Sequence, residues 1–182
     1  MIEVEIKVSI KNKNQTEEKL QQIGFEKRDL VEESDVYFDK DRNALKSQDM
    51  ALRIRSCKNL MTNTTENFMT YKGPKMDDIS MTRKELEMKI ENAEIGKEIL
   101  RSLGYEWVYP VKKLRQYFCR NEMTACLDSV ENLGEFLELE IVLPQENEKE
   151  AALNEIISLL RELGYEQGDI IRTSYLSMLH SR

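Results

Sequence analysis

An α+β fold, a closed eight-stranded and mainly antiparallel β-barrel with helices packed outside it, is predicted from three features of the sequence. Eight segments alternate apolar and polar residues with the period of two that sends neighbouring side chains to opposite faces of a strand. Three longer stretches and one short one carry apolar residues at helical spacing, and the apolar strand faces are the surfaces on hand to bury them. The remaining strand faces carry charge of both signs. Such faces suit either a wet open sheet or the lumen of a barrel, and closure also removes the edge strands.

Taken in order, the first strand is expected over residues 2–11, with Ile2, Val4, Ile6 and Val8 opposite Glu3, Glu5 and Lys7. A helix follows at 15–23, with Asn14 placed as its N-cap and Gly24 just past its end. Strands are expected at 27–40, at 50–57, where Arg53 and Arg55 alternate with Leu52 and Ile54, and at 65–73, which carries Lys72. The strand at 82–90 sets Arg83, Glu85, Glu87 and Lys89 against Leu86, Met88 and Ile90. Asn92 caps a helix at 93–103 whose stripe is Ile95, Ile99 and Leu103, closed by Gly104. Strands at 107–120, 123–130 and 135–143 carry Lys113 with Arg115, Asp128, and Glu138 with Glu140. A helix at 146–163, with Leu153, Ile156, Leu160 and Leu163, ends at Gly164, and a short helix at 173–180 completes the chain. A Glu-x-Glu strand pattern precedes a helix ending in Gly and an aromatic three times, at Gly24-Phe25, Gly104-Tyr105 and Gly164-Tyr165.

Composition narrows the function. At 182 residues, 40% hydrophobic and 34% charged, the chain reads as one domain, 1–182, able to bury a real core. A net charge of −7 and a pI near 5.0 argue against a nucleic-acid or acidic-membrane partner, so any task for the Arg and Lys residues is local. The cysteines Cys57, Cys119 and Cys126 are odd in number, have no CxxC spacing, and read as reduced wall or core residues. No stretch approaches the roughly 20 apolar residues of a membrane span, and a cytoplasmic location is expected. His180 is the sole histidine, which leaves a Ser-His or Cys-His pair without a central base, and no P-loop or Rossmann glycine motif occurs.

What remains is the charged face. Arg-x-Arg or Glu-x-Glu on one strand face puts like charges about 7 Å apart, an arrangement that needs an opposite charge or an ion beside it. A closed barrel would collect these faces into a tunnel holding Lys7, Arg53, Arg55, Lys72, Arg83, Lys113 and Arg115 with Glu3, Glu5, Glu85, Glu87, Asp128, Glu138 and Glu140. Hard divalent cations take oxygen ligands and phosphate oxygens take Lys and Arg, so the combination suits a polyanion gripped together with its metal ions. Tyr37 and Phe38 read as core rather than base-stacking residues, and Arg172 as a solvated residue at a helix start rather than a cover for the tunnel mouth.

The opening Glu3-x-Glu5-x-Lys7, Ala51-Leu52-Arg53-Ile54-Arg55, Thr70-Tyr71-Lys72-Gly73-Pro74, Arg83-x-Glu85-x-Glu87, Lys113-x-Arg115, Leu127-Asp128-x-Val130 and Glu138-x-Glu140 occur in the order seen in the CYTH superfamily, the triphosphate tunnel metalloenzymes. Asp35-Val36-Tyr37-Phe38-Asp39 also keeps its place in that order. The resemblance runs from residue 2 to about 178 and looks most like the class IV adenylyl cyclase branch. It implies that Lys7, Arg53, Arg55, Lys72, Arg83, Lys113 and Arg115 bind a triphosphate, and that Glu3, Glu5, Asp128, Glu138 and Glu140 hold Mg²⁺ or Mn²⁺. Lys7, Glu5, Lys113 and Arg115 are the residues it assigns to the chemical step. The substrate is expected to be ATP, converted to cyclic AMP and pyrophosphate, or inorganic triphosphate; a homodimer is compatible with this reading. A triphosphatase of the same fold and a binding module without turnover are the alternatives.

Overall fold

In the computed structural model, which describes residues 1–41 and 43–180, the eight period-two segments are all strands: β1 (Ile2–Ser9), β2 (Glu26–Asp39), β3 (Ala51–Asn59), β4 (Thr64–Lys75), β5 (Arg83–Ile90), β6 (Glu106–Arg120), β7 (Met123–Val130) and β8 (Gly134–Leu143). They close into a barrel in the order β1-β5-β4-β3-β2-β6-β7-β8, with every neighbouring pair antiparallel. The closed lumen, not an open wet face, is therefore where the charged parity points. Closure is uneven. β1 pairs with β8 along its full length, from Ile2↔Leu143 to Ser9↔Phe136, but meets β5 only at Ile2↔Lys84 and Glu3↔Arg83.

Among the described residues four α-helices accompany the barrel: α1 (Lys13–Gln22), α2 (Ala93–Ser102), α3 (Lys149–Glu162) and α4 (Tyr175–His180). The main core lies between α1, α3 and the outer faces of β1, β7 and β8. There Val4, Ile6, Leu127, Leu137 and Leu139 are sealed against Leu20, Ile156, Leu160 and Leu163. Gly24, Gly104 and Gly164 take φ near +90°, the left-handed turn that ends the three long helices and that a side chain would strain.

Two expectations from the sequence need correction. The N-cap of α1 is Asn12, whose side chain accepts the Gln15 amide, and Asn14 lies inside the helix. More consequentially, the α2 stripe of Ile95, Ile99 and Leu103 is not buried: all three are more than half exposed, as are Leu86 and Met88 on the outer face of β5. The cause is Gly96. α2 rests on Ala93, Gly96 and Leu100, and a Cβ on Gly96 would come within 3.1 Å of both Ile54 and Ile90. The helix docks by its small-residue face, which turns the large residues outward.

Candidate active site: a charged tunnel

Inward-facing residues of the strands line a cavity of about 370 Å³. Of the twelve residues expected in a site, eleven line it: Glu3, Glu5, Lys7, Arg53, Arg55, Lys72, Arg83, Lys113, Arg115, Glu138 and Glu140. The twelfth, Asp128, is fully buried behind that wall. Its Oδ1 accepts Arg115 Nε at 2.6 Å, and its Oδ2 takes Arg115 Nη2 at 2.5 Å, the Tyr175 hydroxyl at 3.0 Å and Lys113 Nζ at 3.3 Å.

Each cation except Arg83 is met by a carboxylate from a neighbouring strand, because pairing register sets opposite signs side by side. Arg55 donates Nε and Nη2 to Asp35 at 2.6 and 2.8 Å, and its Nη2 also lies 2.9 Å from Glu33. Arg53 reaches the same Asp35 at 3.5 Å, so one carboxylate bridges the Arg-x-Arg pair whose spacing demanded an opposite charge. Buried Arg53 Nε has no hydrogen-bond partner among the described residues, leaving one donor in the tunnel wall for an anion. Lys72 sits 3.2 Å from Glu3 and 2.5 Å from Glu85. Lys7 lies 3.3 Å from Glu138 and 3.7 Å from Glu5, and its ammonium stands 4.2 Å from the centre of the Tyr175 ring. Arg115 also pairs with Glu138. Arg83 differs from the rest. Its guanidinium is taken up mainly by backbone carbonyls, Gly73 at 2.8 Å and Asp49 at 3.2 Å, with the Asp49 carboxylate 3.8 Å away, so it ties the end of β4 to the segment that precedes β3.

The carboxylates divide into two electrostatic kinds. Burial pushes Glu3, Glu5, Glu85, Glu138 and Glu140 up, but Arg115, Lys7 and Lys113 hold Glu138 well below the usual range, and Lys72 does the same for Glu3. Glu140, by contrast, is raised by burial and by Glu3 and Glu5. Glu5 is raised by burial and by Glu138 in spite of Lys7, and Glu85 is raised to about 8 by burial and by Glu3 in spite of Lys72. Glu5 and Glu140 face each other across the β1–β8 ladder. They are crowded oxygen donors with too little positive charge nearby, the chemistry that a hard divalent cation relieves, so the donor set fits Mg²⁺ or Mn²⁺. Among the described residues no group of three or more acidic, His or Cys side chains is already disposed around one point to hold an ion.

Three participants escaped the sequence reading. Glu33 and Asp35 share the parity of Tyr37 and Asp39 on β2, so their inward direction was readable from the alternation, yet neither was assigned a role. Tyr175 is the third. Its ring lies 5.0 Å from that of Phe136, tilted by 60°, and its hydroxyl donates to Asp128, in a small cluster with Val111 and Val130 that seats α4 at one end of the barrel. Arg172, expected to be solvated, lines the cavity and donates to the carbonyls of Asp77 at 2.7 Å and Ser80 at 3.4 Å. Phe38 belongs to the core under α2, as expected, and the three cysteines are free.

This geometry has counterparts. The model of the CYTH domain family matches residues 1–175. A protein of Methanocaldococcus jannaschii named "Putative adenylate cyclase" is 41% identical over 178 residues, 98% of each chain. The adenylate cyclase CyaB of Aeromonas hydrophila is 25% identical over 147 residues, 81% of this chain and 72% of that protein. Among solved structures, a protein of Pyrococcus horikoshii OT3 superposes with a TM-score of 0.89 at 34% identity, covering 98% of each chain. No helix among the described residues is long and apolar enough to cross a membrane.

Proposed function

Because the chain belongs to the CYTH domain family, we propose that its tunnel is the active site of a metal-dependent enzyme that converts ATP to cyclic AMP and pyrophosphate. The observation that carries the reading is the gathering, in one cavity, of six carboxylate-paired cations on its wall (Lys7, Arg53, Arg55, Lys72, Lys113 and Arg115) with the crowded carboxylates Glu5 and Glu140. The names of the relatives from Methanocaldococcus jannaschii and Aeromonas hydrophila support the cyclase branch. So does the apolar part of the same wall: Met50, Val108 and Leu176 line the cavity, and a bare inorganic triphosphate has no use for them, whereas a nucleoside does.

In this mechanism Arg53 and Arg55, held in place by Asp35, grip the phosphate chain bidentately, and Lys72 and Lys113 neutralise its outer oxygens. Glu3, Glu5, Glu138 and Glu140 would hold the divalent ion, which would supply positive charge against the phosphates. Asp128, expected among these ligands, orients Arg115 and Lys113 and would add a carboxylate to the metal group only if Arg115 turned to the substrate. Lys7 and Arg115 stabilise charge developing on the α-phosphate as the ribose 3′ hydroxyl attacks in line: its oxygen bonds to the α-phosphorus, the bond to the bridging oxygen breaks, and the hydroxyl proton leaves with pyrophosphate. Phosphoryl chemistry asks little else of the protein, since positioning and charge carry most of the effect. A shift of the substrate by one phosphate would offer the γ-phosphorus to water, which is the triphosphatase alternative.

Chromatography of products after incubation with ATP or inorganic triphosphate, with Mg²⁺ or Mn²⁺, separates the readings. Cyclic AMP and pyrophosphate from ATP are expected. Orthophosphate from inorganic triphosphate with no cyclic nucleotide from ATP would replace the cyclase by a triphosphatase, and tight binding without any product would leave a binding module.

A further inference from the structure

The two ends of the tunnel differ. The exposed residues of its lining are Asn43, Lys46, Asp49, Thr173 and His180, which lie before β3 or in the C-terminal segment, so the mouth is at that end of the barrel. Toward the other end, four strands that are neighbours in the barrel each follow their inward site residues with an uncharged one. Lys113 and Arg115 are followed by Tyr117 on β6, Asp35 and Glu33 by Val31 on β2, Arg53 and Arg55 by Cys57 on β3, and Lys72 and Thr70 by Phe68 on β4. Because neighbouring strands run antiparallel, all four steps lead to the same end, with Val31 opposite Arg115, Cys57 opposite Glu33 and Phe68 opposite Arg55. None of the four lines the cavity, and neither do Thr124, Glu87 and Val142, the next inward positions of β7, β5 and β8. Tyr117 is tied down where it stands: its hydroxyl donates to Glu33 Oε1 at 3.0 Å, and the Arg115 guanidinium lies 5.6 Å from its ring. Glu33 in turn meets Arg55 at 2.9 Å and Lys113 at 3.2 Å.

On the reading of the tunnel as a triphosphate site, on which this rests, we propose that it is a blind well that takes a triphosphate terminus first and rejects one whose last phosphate is esterified, with Tyr117 as the floor residue that sets the limit. Entry is phosphate-first because apolar Met50, Val108 and Leu176 belong to the mouth and the paired cations to the depth below it, which leaves a nucleoside at the rim. The terminal phosphate then meets Arg55, the last cation before Cys57 on β3, and the unpartnered Nε of Arg53. A free terminal phosphate carries close to two negative charges at neutral pH and suits these donors. An ester removes one of those charges and adds a group where Tyr117, Cys57 and Phe68 leave no cavity. Nucleoside triphosphates and inorganic triphosphate fit such a well, and triphosphates capped at both ends do not.

Calorimetric titration of the full-length protein with Mg²⁺ tests this, using α,β-methylene ATP, which cannot lose pyrophosphate, and its γ-phenyl ester. The ester is expected to bind wild type about tenfold to a hundredfold more weakly, the loss of a charged hydrogen bond. Tyr117→Ala opens a ring-sized hole in the floor, and the ratio of ester to parent affinity should rise by about tenfold or more, whereas Tyr117→Phe keeps the ring and should keep the wild-type ratio. Thermal melts confirm folding, and Phe68→Ala is a second way to open the floor should Tyr117→Ala not fold. If wild type binds neither compound, the triphosphate reading of the tunnel falls and the well with it. Tight binding of both with equal affinity overturns the blind well alone, and so does a ratio that folded floor-opening variants leave unmoved.

Discussion

Glu3-Val4-Glu5-Ile6-Lys7 in β1 and Glu85-Leu86-Glu87-Met88-Lys89 in β5 carry the same order of charges and the same alternation, and their fates diverge within a few residues. They start together: Glu3 and Glu85 share Lys72. From there β1 keeps β8 alongside it, which brings Glu138 opposite Lys7 and Glu140 opposite Glu5, while β5 runs on with only β4 for company. The Lys7 side chain is 2% exposed and that of Lys89 63%, paired with Glu66 at the rim. Charge pattern on a strand thus makes a tunnel wall only where another charged strand closes over it. Left open, the identical pattern becomes an edge.

The sharpest way to break the comparison is to remove a cation from each side. Arg115→Ala strands Asp128, fully buried, and Glu138 without their main partner, and should lower stability by about 3–5 kcal/mol in urea unfolding, the cost of an uncompensated buried charge. Lys89→Ala should stay within about 0.5 kcal/mol, as surface changes do. Equal losses would mean that Lys89 is buried in solution.

A smaller effect is expected from Glu140→Gln. It removes an oxygen donor from the crowded β1–β8 group, so affinity for Mg²⁺ or Mn²⁺ should fall by about 10–100-fold with turnover falling alongside. The metal-free fold should be no less stable at neutral pH, because a repulsion with Glu3 and Glu5 is relieved. Full activity in excess chelator would remove the basis of this expectation.

The pH dependence follows from the same carboxylates. Glu5, Glu85 and Glu140 have raised pKa values when folded, that of Glu85 reaching about 8, so above the ordinary Glu value of 4.5 the unfolded chain has released protons that the folded one still holds. Stability of the metal-free protein should therefore fall as pH rises from about 5 to about 8. Glu3, Glu33, Asp35 and Glu138, all depressed, contribute stability that is present above about pH 4.5 and lost below it. Urea midpoints across this range check the sign, and added Mg²⁺ should help more at about pH 8 than at about pH 5. A midpoint that climbs through this window would show that the raised carboxyls are mispaired here.

How far the sequence was legible can be judged from the same contrast. Strict period-two alternation located all eight strands, and it set the inward parity of every cation in the tunnel, because a one-residue slip would have turned the whole charged face into the core. Alternation says nothing about what lies across the lumen, so the engagement of Asp128 by Arg115, Lys113 and Tyr175, and the capture of Arg83 by carbonyls, had to wait for the closed barrel. The face α2 buries was misread for a different reason. Apolar periodicity favours the large residues Ile95, Ile99 and Leu103, whereas close approach to Ile54 and Ile90 selects the small face at Gly96. Asn14 lost the cap to Asn12, a two-residue shift typical of helix ends.

Calorimetric titration of inorganic triphosphate with Mg²⁺ into wild type, Lys7→Ala and Lys89→Ala proteins tests the central claim most directly. Wild type and Lys89→Ala should bind one triphosphate per chain with the same affinity, and Lys7→Ala should lose roughly 1.5–3 kcal/mol, the range for a hydrogen bond to a charged group. Failure of wild type to bind, or equal losses at Lys7 and Lys89, would contradict the assignment of the tunnel as the triphosphate site.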